Sequence, residues 1–494
     1  MSLLDRLESW GNRLPHPASV FAFGTLVVIA LSELAVRLQW QVAKPGIGTE
    51  AVTVSATSLL ASDGLWWLIS NLVENFVTFP PLGIVLVGML GIGVAERGGL
   101  INALLEAATR RINAAFLTPA VILIGILSSI GLDAGYVILP PLAAALFVAN
   151  GRSPLVGIGA AFAGISAGFS ANFSLTAIDP LLAGFTEAAA QFINADYQVA
   201  ETCNWWFMIA STIILTATAW FVSAVWVEPR ATITGSPLEI DSQPHRADDR
   251  ALMLSILAAF ITGAIFVAAT VIPGAPLNGV GARFPRWVEA TVPLIFIFFF
   301  VPGVVYGFMS GKFKSDQDVA AAMGETLASM GPYIVLAFCA AQFIAAFKFS
   351  GLGQMLAITG GEFLVEMGLP SAPLVMAFIG IVMLGNLVVG SASAKYAFFA
   401  PVFVPMLMQV GISPELTQAA YRVGDSITNV ITPLNPYMII IVSLVQRYLP
   451  NGGLGTVMAL MVPYCIAFAI VWPVLLGIWM FFGWPLGPAG PLWL

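Results

Sequence analysis

Apolar residues gather along this chain in runs far longer than a soluble core needs. They lie near 17–38, 80–97, 153–186, 203–226, 251–272, 289–309, 330–349, 414–446 and 454–482. A hydrocarbon layer is roughly 30 Å thick and takes about 20 apolar residues to cross as a helix, so the pattern predicts nine spans. Two further stretches, 118–150 and 372–411, are each about two spans long and are interrupted by GLDAG (131–135) and GSASAK (390–395). Each reads either as a pair of spans or as a re-entrant hairpin, which a bilayer tolerates only where the tip is buried in protein or lines a cavity. The expected fold is an all-α integral membrane protein with about nine transmembrane helices and two re-entrant hairpins.

Composition sharpens this picture. The 494 residues are 59% hydrophobic and 9% charged, against about 25% charged in an ordinary soluble domain, which leaves no room for a sizeable soluble unit. A net charge of -7 gives no basic footprint for nucleic acid. Cys203, Cys339 and Cys465 are scattered in apolar contexts and suggest neither a disulfide framework nor a metal site. The opening MSLLDRLESWGNRLPHP carries charges on an amphipathic pattern without a small-residue cleavage site, and reads as a retained cytoplasmic cap.

Charge also orients the chain. With a cytoplasmic N-terminus and both interrupted stretches read as hairpins, twelve Lys and Arg, from Arg6 to Arg447, fall on inner segments. Five fall outside: Arg37, Lys44, Arg283, Arg286 and Lys348. The loop EAAAQFINADYQVAE (187–201) has none, as the positive-inside rule expects. Span pairs in place of hairpins leave the parity unchanged. Nine crossings put the C-terminus on the outer side of the membrane.

The chain also repeats itself. GRSPL (151–155) matches GISPE (411–415) at an offset of 260 residues, which also pairs Tyr136 with Tyr396 and Pro141 with Pro401. After a four-residue gap, GFSANFSLTAIDP (168–180) lies over GDSITNVITPLNP (424–436) at an offset of 256, pairing Ser170 with Ser426 and Asp179 with Asn435. The chain divides accordingly: 1–79, cap, first span and periplasmic loop; 80–187, first repeat; 188–329, scaffold spans; 330–446, second repeat; 447–494, last span. Three intervening spans invert the second repeat relative to the first. Inverted repeats with interrupted helices point to a secondary transporter whose site lies near the bilayer midplane.

The candidate chemistry sits at the interruptions. In YRVGDSITNVITPLNPY (421–437) a glycine and prolines break a helix, freeing backbone groups that can coordinate an ion or an anion. A charge at the bilayer centre costs about 2.5–3.5 kcal/mol on the insertion scale, so Asp133, Asp179, Lys395, Arg422 and Asp425 must face one another, water or a ligand. Arg422 and Asp425 are three residues apart and share a face of an intact helix. Either they form a structural ion pair, or Asp425 exchanges a coupling proton or cation while Arg422 sets its pKa or holds a substrate carboxylate. Asp179 reads as proton- or substrate-linked or as a helix cap. Lys395 either meets a substrate anion or snorkels. Asn172, Asn386 and Asn429 suit substrate or cation contacts, with helix–helix hydrogen bonds as the alternative. Asn172, Asp425 and Asn429 form the candidate sodium set. His16 and His245 lie outside the apolar runs, so no histidine relay is available.

Enzyme motifs are missing. There is no His-Glu-x-x-His zinc helix and no phosphate-binding loop, and Val423-Gly424-Asp425 lacks the first glycine of the intramembrane aspartyl protease signature.

Taken together, GFSANFSLTAIDPLLAG (168–184), NLVVGSASAKYAFFAPVFVPML (386–407) and YRVGDSITNVITPLNPY (421–437) resemble the signature regions of the p-aminobenzoyl-glutamate transporter (AbgT) family, and the similarity runs over essentially the whole chain. The resemblance implies nine spans and two hairpins per protomer in a homodimer. It also implies uptake of p-aminobenzoyl-glutamate or proton-driven export of sulfonamide antimetabolites. Family site positions map onto Asp179, Asn386, Ser393, Arg422, Asp425 and Pro433. Members of the family carry a tryptophan where this chain has Tyr396, which keeps a ring for stacking but adds a hydroxyl. The expected protein is a proton-coupled transporter without an organic cofactor. The alternatives are a sodium-coupled dicarboxylate transporter and a passive channel.

Overall fold

The structure is a computed structural model, and it describes residues 17–44, 52–110, 116–131, 134–230, 249–282, 284–387, 389–432, 434–435 and 437–494. The N-terminal cap, Asp133, both histidines and Pro433 lie outside these residues.

Helices account for most of the described chain. Six are long and apolar enough to cross a membrane: Ala18–Arg37, Trp205–Arg230, Asp249–Val271, Thr291–Met309, Gly331–Phe349 and Leu454–Phe482. Leu82–Arg97 and Leu100–Ala107 qualify as a pair bent by 62°. The other two expected spans, 153–186 and 414–446, are each interrupted. Pro154–Phe162 runs into a π-helical turn at Ala163–Ala167 and resumes only at Ile178–Ala190. Pro414–Ile427, the Arg422 helix, ends in a 3-10 turn at Thr428–Val430 and resumes at Met438–Tyr448. The sequence reading passed over one β-ribbon, in which Gln41–Lys44 pairs antiparallel with Val52–Ser55. It also passed over the amphipathic helix Leu100–Arg110 and the helix Leu352–Glu366, which follow the first long helix of each half.

With those two helices included, the order of elements in the first half recurs in the second. Pro80–Arg97, Leu100–Arg110, Leu117–Leu127, Ala134–Ala149 and the first interrupted helix answer to Gly331–Phe349, Leu352–Glu366, Ser371–Asn386, Ala392–Met408 and the second. The two interrupted apolar stretches become helix pairs of 11 and 16 residues and of 16 and 17 residues. At a rise of about 1.5 Å per residue, none of these reaches across a layer of roughly 30 Å.

Around the two halves, Thr291–Met309 packs against both Pro80–Arg97 and Asp249–Val271. Gly331–Phe349 lies on Pro17–Arg37, and Trp205–Val222 lies on Leu454–Phe482. The halves meet where Ile178–Ala190 packs against Ala392–Met408 and the Arg422 helix. Every residue of the Arg422 helix is buried. Its start is pinned by Ser413, whose Oγ accepts from Leu416 N at 3.0 Å and donates to Pro491 O at 2.7 Å. Its far end approaches Ser371–Asn386 through Gly424, where a Cβ would stand 2.7 Å from Ile379 O. That close approach seats the end of the helix directly on Ser371–Asn386.

Candidate functional site

The two breaks meet at the centre of the fold and bring the charged candidates together in two pairs. Arg422 Nη1 lies 2.5 Å from Asp179 Oδ1, and Nη2 donates to Ser170 O at 2.8 Å. Lys395 Nζ lies 2.5 Å from Asp425 Oδ1 and 2.5 Å from Asn386 Oδ1. The expected alternative of a pair between Arg422 and Asp425 is not what forms. Each residue turns to a partner on another element, because a packed neighbour offers an opposite charge in place.

The first pair joins the two halves. Asp179 stands in the first turn of Ile178–Ala190, and its Oδ2 accepts from Thr176 N at 2.7 Å and from Thr176 Oγ1 at 2.9 Å. It therefore steadies the turn before its own helix through Thr176 and neutralises Arg422. At the 256-residue offset, Asp179 answers to Asn435 and Ser166 to Arg422. Those counterparts also touch: Asn435 Nδ2 donates to Ser166 Oγ at 3.1 Å. One contact of the pseudo-symmetric couple is charged and the other is neutral. Ser170 and Ser426, equivalent to each other, meet between them, with Ser170 N donating to Ser426 Oγ at 3.3 Å.

The second pair belongs to the second half alone. Asn386 Nδ2 reaches Asp425 O at 2.7 Å, Thr428 Oγ1 at 2.8 Å and Asn429 Oδ1 at 2.9 Å, tying the end of Ser371–Asn386 to the second break. Tyr421 Oη lies 2.5 Å from Ala392 O and 3.1 Å from Asp425 Oδ1, with Lys395 Nζ 6.0 Å from the centre of its ring. Tyr421 was not among the sequence candidates. Its signal was the four-residue spacing to Asp425 on one helix face.

The remaining candidates divide. Asn429 joins the site through Asn386 and lies 3.4 Å from Ser166 O. Asn172 stands apart, bonding Ser129 Oγ at 3.0 Å, so the three groups of the candidate sodium set do not converge on shared partners. Ser393 is half-buried beside Ser391, with 3.3 Å between their hydroxyls. Tyr396 is fully buried, its hydroxyl 2.6 Å from Thr186 Oγ1 and its ring 4.2 Å from that of Tyr421.

The four charged side chains are exposed by only 1–4%, so the site is closed and opens only when its elements move. Two atoms in it have no protein partner, Arg422 Nε and Asp425 Oδ2. A guanidinium edge and a carboxylate oxygen left bare in a buried site are what an incoming anion and an incoming proton would use.

A helical chain folded as two like halves, with matched charges enclosed where their broken helices meet, has the architecture of a membrane transporter. The chain belongs to the AbgT putative transporter family, whose profile it matches over residues 2–494. It is 33% identical over 493 residues to the p-aminobenzoyl-glutamate transport protein of Escherichia coli K12, covering 98% of this chain and 95% of that protein. Among solved structures it is similar to the YdaH transporter of Alcanivorax borkumensis, with a TM-score of 0.91 and 42% identity, covering 96% of this chain and 100% of the other. It is likewise similar to MtrF of Neisseria gonorrhoeae, described as illuminating a class of antimetabolite efflux pumps, with a TM-score of 0.92 and 38% identity over 99% and 100% of the two chains. The family is one of transporters, not of enzymes.

Proposed function

We propose that this transporter couples protons to the movement of p-aminobenzoyl-glutamate, or of sulfonamide antimetabolites that share its p-aminophenyl ring and acidic group. The observation that carries this reading is the enclosed Lys395–Asp425 pair, with Asn386 beneath it and Asp425 Oδ2 unpartnered. A proton arriving on Asp425 discharges the pair and leaves Lys395 as a buried cation. Stranding one member of a buried pair costs about 3–5 kcal/mol, which a substrate anion at Lys395 offsets. Proton and anion therefore favour each other's binding. Arg422, with its free Nε edge, offers a second anchor once the halves separate and Asp179 moves away. In this reading the two helix pairs are re-entrant hairpins, the repeats are inverted, and the peripheral helices carry a homodimer in a bacterial inner membrane, N-terminus cytoplasmic. The names of the Escherichia coli and Neisseria gonorrhoeae relatives support the substrate class.

The test is accumulation of labelled p-aminobenzoyl-glutamate, and separately of a labelled sulfonamide, in proteoliposomes under imposed pH or sodium gradients. Concentrative movement driven by the pH gradient, reduced to background in Asp425→Asn, is the expected result. Movement driven by sodium at fixed pH replaces the proton as coupling ion, and downhill flux without saturation makes the protein a channel.

A further inference from the structure

The Arg422 helix carries a polar stripe that its counterpart lacks. Glu415, Gln418, Arg422 with Tyr421, and Asp425 follow one another at three- and four-residue spacing and so share a face. The equivalent helix of the first half reads PLVGIGAAFAGISA (154–167), with Leu155 in the place of Glu415 and Phe169 in the place of Asp425. Both helices are almost wholly buried. Burial in this architecture is thus satisfied by an apolar helix, and the stripe answers another need. A buried carboxylate is costly and is retained where it is used.

Glu415 begins the stripe at the end of the fold covered by loop 191–204. Its two carboxylate oxygens accept from Tyr197 Oη at 3.2 and 3.0 Å, and Asn204 Nδ2 donates to its backbone oxygen at 3.0 Å. One turn on, Gln418 Oε1 accepts from Thr186 Oγ1 at 2.7 Å, and Thr186 shares its hydroxyl with Tyr396 Oη at 2.6 Å. The Tyr396 ring lies tilted by 38° against that of Tyr421, whose hydroxyl reaches Asp425. Along this line Asn204 Oδ1, Gln418 Nε2 and Asp425 Oδ2 are buried without a protein partner. A bare buried polar atom costs about 1–3 kcal/mol, so each calls for water or a moving partner. The titratable and charged neighbours of Glu415 are Tyr197 and Cys203 in the loop with Glu201 beyond them, Tyr396 across the interface, and Arg422 on its own helix facing Asp179. None of these forms an ion pair with Glu415 among the described residues.

We propose that Glu415 is a proton carrier, taking a proton from the loop surface beside Tyr197 and passing it to Asp425 through water held at the bare polar atoms along the stripe, Gln418 Nε2 and Asp425 Oδ2. Each bridging water accepts one proton and releases one, so only the end carboxylates change charge. The proposal rests on proton coupling as set out above.

The experiment separates net coupled transport from exchange in reconstituted protein. Glu415→Gln keeps an acceptor for Tyr197 and removes the titrating group. Accumulation of p-aminobenzoyl-glutamate under an imposed pH gradient is expected to fall by about tenfold or more. Exchange of labelled for unlabelled substrate without a gradient persists, and Glu415→Asp recovers part of the driven transport. If Glu415→Gln keeps both the driven rate and its pH profile, or loses exchange in the same proportion, Glu415 is structural and the proposal fails. A wild-type protein indifferent to the pH gradient sinks the proton-coupling reading itself, a result visible before any variant is made.

Discussion

At the residue scale, the arrangement turns on which acid each base selects. Arg422 and Asp425 share a helix face, yet Arg422 binds Asp179 of the other half and Asp425 binds Lys395. Sequence spacing sees only partners within one helix, so this choice was not legible before folding. A double-mutant cycle on the cross-half pair follows from the geometry. Asp179→Asn or Arg422→Gln alone leaves a buried charge stranded and is expected to destabilise the protein by about 3–5 kcal/mol. The double variant regains much of that loss because both charges are gone. Thermal unfolding in detergent measures all four proteins, and additive losses would show that the two side chains do not act as a pair.

Elements were easier to read than partners. The long apolar runs became long helices, and the breaks at 168–177 and 431–437 fell where glycine, proline and polar residues cluster in an apolar segment. Leu100–Arg110 escaped notice because its polar face shortens the apolar run, and Leu352–Glu366 because Gln354, Gly360, Gly361 and Glu362 interrupt it, although both pack on neighbouring helices. Helix contact also depends on residues that carry no chemistry. A Cβ at Gly303 would lie 2.7 Å from Ala95 N and Cα, so Thr291–Met309 meets Pro80–Arg97 almost backbone to backbone. Gly303→Val is expected to cost about 1–3 kcal/mol through overpacking while leaving exchange activity in the surviving folded protein. An unchanged melting temperature would mean that the two helices separate freely.

For the whole molecule, pH acts on stability from the loop side. Glu201 lies in the turn before Trp205–Val222, where burial, aided by the Glu187 carboxylate, raises its pKa to about 7 from the ordinary 4.5. The folded state holds this proton more tightly than the unfolded chain does. Stability from this group is full below about pH 4.5 and declines as pH rises to about 7, where Glu201 becomes charged in place. Glu201→Gln removes that decline, so the melting temperature of the variant relative to wild type should rise between pH 5 and pH 8. A difference that stays flat with pH would show that Glu201 titrates normally.

The sequence by itself determined the membrane class, the positions of the breaks and the two like halves, because hydrophobic length and helix-breaking residues act locally. It also supplied the charged residues that have to be enclosed, since lipid excludes them wherever the chain goes. Only the tertiary structure decided that the breaks meet, that Asp179 pairs with Arg422 and Lys395 with Asp425, and that one of two equivalent helices aims a polar stripe into the contact between the halves. Those choices depend on which elements pack together, across 243 residues of chain for Asp179 and Arg422, which packing fixes and local pattern does not.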